Sequence, residues 1–159
     1  MISLNEEEKK YRILFLARIF VGIIFAYSGF TKLMEPVENF QGGMAAYQVI
    51  PYAVIPFLAH VIPWIEFIFG VFLILGYLPR LCAIVLAGMS WSFVLLILTT
   101  RFLTGSLPAD CGCFGEGSLI HLKPAQVLAM DIINTLIGIR LILVKDHSFS
   151  LSALLKQKS

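Results

Sequence analysis

The sequence predicts an all-α integral membrane protein, a single four-helix transmembrane bundle spanning residues 1–159. Three observations predict it. The chain is 58% hydrophobic and only 14% charged, more apolar than a soluble core of this size requires. Four apolar stretches approach the roughly 20 residues that a helix needs to cross a hydrocarbon layer of about 30 Å. The connections between them are too short for a second domain, and no internal repeat or low-complexity segment stands out.

The first span covers 11–33. It follows a charged head, Glu6-Glu7-Glu8-Lys9-Lys10, and superficially resembles a signal peptide. Its length, the internal Arg18 and the lack of a small-x-small cleavage site before Lys32 argue instead for a retained helix. In the loop 34–55 that follows, Phe40, Met44, Tyr47, Val49 and Tyr52 alternate with polar residues and Gly42-Gly43. That pattern suits a short interfacial helix or an irregular segment capping the bundle.

The second span covers 56–78 and contains Pro63, which frees the carbonyl of Ala59 inside the bundle. Pro79-Arg80 then makes a connection so tight that the third span, 81–100, must lie antiparallel beside the second. After the loop 101–123 the fourth span runs over 124–144. Gly22, Gly29, Gly70 and Gly88 are expected at close helix contacts, with Trp64, Trp91 and the Phe residues packing or facing lipid.

Orientation follows from the basic residues near the span ends. Lys9, Lys10, Arg12, Arg80, Arg140, Lys145, Lys156 and Lys158 fall on one side, against Lys32, Arg101 and Lys123 on the other. This eight-to-three bias predicts both termini in the cytoplasm and loops 34–55 and 101–123 outside. The net charge of +2 reflects that topology; no nucleic-acid-binding patch is visible.

Arg18, Glu66 and Asp131 lie within the spans, where an ionisable group costs several kcal/mol unless paired or hydrated. Depth counting at about 1.5 Å per residue brings Arg18 within reach of Glu66, with Asn134 extending a network from Asp131. Such a pair either fixes helix order and rotation or belongs to a proton or quinone site. His121, and His60 nearer the second span's outer end, are candidate proton carriers.

The most distinctive segment is Asp110-Cys111-Gly112-Cys113-Phe114-Gly115, which sets two thiols one residue apart in a chain with only three cysteines. A structural bond closing so small a loop restrains the unfolded chain little. A metal site needs further ligands, and the outer loops contain no second cysteine pair; no metal is expected. Thiol–disulfide exchange needs only the pair: a small strained bond, with Gly112 allowing closure, is readily attacked. Cys113, nearer Lys123, is the better candidate thiolate. Cys82 falls on the cytoplasmic side, a membrane thickness away.

Taken together, Arg18-x-x-x-Gly22 with Ser28-Gly29-Phe30-x-Lys32, Tyr47 and Pro51, Pro63-x-x-Glu66-x-x-x-Gly70 and the Cys-Gly-Cys-Phe-Gly loop resemble the DoxX-like membrane proteins, especially the methylamine-utilisation MauE branch. The likeness covers 12–144. It implies a redox-associated bacterial inner-membrane protein whose Cys111 and Cys113 face the periplasm or cell exterior. It also implies a thioredoxin-like partner and a link to maturation of a disulfide-containing dehydrogenase.

The architecture is also similar to that of vitamin K epoxide reductase, which passes electrons to a quinone, but that enzyme uses two cysteine pairs and this chain has one. Quinone is accordingly a candidate cofactor, with Arg18, Glu66, Asp131 and His121 as its candidate site or a proton site. The leading expectation is a thiol–disulfide redox component. The rival is a non-enzymatic membrane scaffold or assembly subunit with a static disulfide. A transporter reading has little support, for the chain shows neither a broken helix nor an inverted repeat.

Overall fold

A computed structural model describes residues 2–105, 107 and 123–143. These residues form five helices: α1 (Ile2–Met34), α2 (Val37–Ala45), α3 (Ile55–Leu75), α4 (Pro79–Thr104) and α5 (Pro124–Leu143). Four of them, α1 from Arg12 onward, α3, α4 and α5, are long and apolar enough to cross a membrane, which gives a multi-pass topology.

Apolar side chains cover the outer surface as well as filling the core, and several charged groups lie inside. Large apolar side chains such as Phe57, Trp64, Trp91 and Phe102 point outward, whereas Arg18, Lys32, Glu66, Asp131 and Asn134 are buried. Lipid solvates the outward apolar surface, and polar groups avoid it by turning into the bundle.

The helices associate as α1 with α3 and α4 with α5, and smaller α3–α4 and α1–α5 contacts join the two pairs. Glycine sets the α1–α3 approach. A Cβ on Gly29 would stand 2.5 Å from the Phe67 backbone nitrogen and 2.7 Å from the Pro63 carbonyl oxygen. One on Gly70 would stand 2.5 Å from the Ala26 nitrogen. Because backbone cannot move aside as a side chain can, a methyl group here drives the helices apart.

Gly88 departs from expectation: it is exposed, with nothing within 4 Å of an added Cβ. The close α4–α5 contact instead uses Gly138, whose added Cβ would meet the Ala87 Cβ at 2.6 Å. Gly29→Ala is therefore expected to lower the unfolding midpoint of the detergent-purified protein by several degrees, while Gly88→Ala leaves it unchanged or slightly raised.

Gly76, at φ +70°, ends α3 as the amides of Gly76 and Tyr77 donate to the carbonyls of Leu73 and Phe72. Pro79 then opens α4, and the turn makes α3 and α4 antiparallel. Arg80 closes this end of the bundle, Nε and Nη2 each donating at 3.3 Å to the Ile142 carbonyl near the end of α5.

At the other end, α2 combines both readings of the first long connection: it is a short helix, and it caps the bundle. Phe40 and Met44 pack with Ile55 and Ala59. Tyr47, 1% exposed, packs on Ile97 and Val127 of α4 and α5, and Thr100 donates to its carbonyl at 3.4 Å. The segment after α4 leaves the bundle at this same α2 end, and α5 begins there.

Candidate functional site

The polar centre of the bundle starts from a helix repeat. Ser28 and Lys32 are four residues apart on α1 and share a face, with Gly29 between them. Gly29 lets α3 approach until an added Cβ would be 3.0 Å from the Glu66 Cβ. Side chains on a helix lean toward its N-terminus, so the Lys32 ammonium reaches back to the level of Ser28.

Both groups converge on one carboxylate. Lys32 Nζ donates to Glu66 Oε1 at 2.9 Å and Oε2 at 2.7 Å, and Ser28 Oγ donates to Oε2 at 3.2 Å. The side chains of Lys32 and Glu66 are only 1% and 3% exposed. Lys32 Nζ also lies 4.7 Å from the Phe40 ring centroid and 5.9 Å from that of Phe93. The ammonium thus exchanges water for a carboxylate and two aromatic faces, an arrangement that helps stabilise a charge away from water.

Across a small cavity, α5 presents Asp131 and Asn134, 6% and 2% exposed. They are three residues apart and share a face. Ser28, Lys32 and Glu66 line the opposite wall. Ser90 of α4, fully buried, neighbours Asp131. Thr135 Oγ1 turns back to the Asp131 backbone carbonyl at 2.8 Å. The cavity has room on the scale of one water.

This geometry corrects the pairing expected from depth counting. Glu66 is engaged by Lys32 and Ser28 rather than by Arg18. Gly22 packs at the level of Gly70 and Ile74, and Gly29 at the level of Glu66, so antiparallel register puts Arg18 toward the far end of α3. Arg18 precedes Lys32 by fourteen residues, about 21 Å of helix. Its guanidinium carbon lies 5.0 Å from the Phe15 ring centroid.

Depth counting misses this pair because Lys32 stands at the span end, where a basic residue reads as an interfacial charge. Its fixed spacing from Ser28 and Gly29 was the available signal. Ser90 had no such signal, because its place depends on which face α4 turns toward α5.

Glu66 and Asp131, both named from sequence, therefore line one cavity, and Asn134 joins them. Arg18 belongs to the other half of the bundle. His60 is exposed, with a ring nitrogen 2.8 Å from the Pro56 carbonyl oxygen. Cys111, Cys113 and His121 lie outside the described residues. Cys82 is buried near the start of α4, its thiol 3.4 Å from the Tyr77 carbonyl. That position is twenty-two residues, or about 33 Å of helix, from Thr104.

Comparison with known proteins bears on the whole of this arrangement. A family model described as "Methylamine utilisation protein MauE" matches residues 10–144. The chain is similar to the methylamine utilization protein MauE of Paracoccus denitrificans, at 30% identity over 105 residues, covering 66% of this chain and 55% of that relative. The matched region thus spans about half the length of this curated relative. No solved structure matches.

Proposed function

The chain belongs to the MauE family of redox-associated membrane proteins, and on that premise we propose that it is a membrane thiol–disulfide redox component acting through Cys111 and Cys113. The observation that carries the reading is two thiols one residue apart, in a connection whose ends leave the bundle where α2 caps it. The third cysteine is buried at the opposite end, remote from exchange with that connection.

In the proposed step, the Cys111–Cys113 dithiol attacks a disulfide in a thioredoxin-like partner. A mixed disulfide forms, and the second cysteine resolves it. Two electrons and two protons pass to the partner, which leaves as a dithiol while Cys111–Cys113 becomes a disulfide; the reverse direction balances equally. In the reverse direction, which leaves Cys111–Cys113 as a dithiol, a quinone is the proposed membrane acceptor that takes the two electrons and two protons and restores the disulfide.

The proposed setting is the bacterial cytoplasmic membrane, with both termini inside and the cysteines facing the periplasm or exterior. Burial of Lys32 supports that orientation by removing it from the interfacial tally, leaving eight basic residues against two. The relative's name associates it with methylamine utilisation. For this chain, maturation of a disulfide-containing dehydrogenase is a proposal of the same kind.

Mixed-disulfide capture tests the relay. In a Cys82→Ser background, Cys111→Ser and Cys113→Ser variants are isolated after acid quenching. One of them is expected to carry a covalently attached thioredoxin-fold protein that dithiothreitol releases. Capture by neither variant, with client maturation intact in both, would establish the scaffold reading instead.

A further inference from the structure

The cavity between α1, α3, α4 and α5 carries an imbalance of charge. Its lining provides one ammonium, Lys32, against two carboxyl groups, Glu66 and Asp131. Lys32 is committed to Glu66 through contacts with both oxygens. The charged groups facing Asp131 are Lys32 from α1 and Glu66 from α3, while α4 offers the uncharged Ser90. Arg18, about 21 Å along α1 from Lys32, is too far to balance the second carboxyl.

An independent observation marks the same place. Neither amide atom of Asn134 has a hydrogen-bond partner among the described residues. This side chain is 2% exposed and lines the cavity. Buried polar atoms left in this state imply an occupant with donors and acceptors of its own. Space on the scale of one water, among several polar groups, suits a water.

We propose that this cavity is a proton-binding site, in which the Asp131 carboxyl carries one exchangeable proton and shares it through a single water with Asn134. The proton supplies the positive charge missing beside the Lys32–Glu66 pair. It resides on the carboxyl itself, whereas a metal cation would have to occupy a cavity already facing a fixed ammonium. The site is independent of whether Cys111 and Cys113 exchange electrons.

Infrared spectroscopy of the full-length protein, reconstituted in lipid at neutral pH in sodium-free buffer, reads this directly. A carbonyl-stretch band of a protonated carboxylic acid is expected, shifting in heavy water and disappearing in Asp131→Asn. Should that variant fold poorly, wild-type protein labelled with carbon-13 at the aspartate side-chain carboxyl must show the band displaced, and Asn134→Ala must change its frequency. Absence of such a band overturns the site, as does a band lost in Glu66→Gln but kept in Asp131→Asn. A band abolished by adding sodium would assign the missing charge to a metal cation and also overturn it.

Discussion

Replacing Lys32 with methionine is expected to destabilise the bundle by about 3–5 kcal/mol, the scale seen when one partner of a buried ion pair is removed. The substitution leaves Glu66 facing Ser28 alone, in a cavity that also contains Asp131 and now lacks an ammonium. Glu66→Met should have a comparable effect, because it strands the Lys32 charge between Phe40 and Phe93.

The double variant Lys32→Met, Glu66→Met should recover most of the loss. Methionine fills much of the volume and neither charge remains, so the coupling in a double-mutant cycle should reach about 3 kcal/mol or more. Reversible denaturation in detergent micelles measures all four proteins. Additive single effects would show that Lys32 and Glu66 contribute separately and that their contact does not fix α1 against α3.

The second large effect is on chemistry and leaves the fold intact. Cys111→Ser or Cys113→Ser is expected to reduce disulfide transfer to background, because a hydroxyl can neither form nor resolve a mixed disulfide. The packing seen among the described residues joins α1 to α5, and membrane abundance and melting are expected to match the wild type. Cys82→Ser should keep full transfer, the Cys82 thiol being buried at the opposite end of α4. Equal client maturation in all three variants would remove the relay and leave a scaffold.

Different parts of this molecule were legible in its sequence to different degrees. Apolar run length revealed the membrane-crossing helices because lipid imposes that length directly. Gly22, Gly29 and Gly70 were rightly placed at helix contacts, and Gly88 was not. Composition carries no information on which face of α4 turns toward α5, and Ala87, one residue away, meets Gly138 instead.

Lys32 shows the same limit at a charged residue. Hydropathy places it at a boundary; its spacing from Ser28 and Gly29 puts it on the helix-contact face, and the α1–α3 register turns its ammonium inward to Glu66. Asp131 was identifiable as a buried carboxyl, but its meeting with Glu66 across one cavity depends on how two helix pairs assemble. For the connection after α1, alternating polarity suited both a helix and a cap: Phe40 and Met44 of α2 pack on the start of α3, and Tyr47, just beyond α2, is buried against α4 and α5.

The central claim is that Cys111 and Cys113 cycle between dithiol and disulfide. Alkylation trapping in intact cells, in a Cys82→Ser background, measures their redox state without disturbing the membrane. Raising the supply of extracytoplasmic reductant should move the pair toward the dithiol, and removing it should restore the disulfide. A pair that holds one state across these conditions, while the wild-type function changes, would contradict the account.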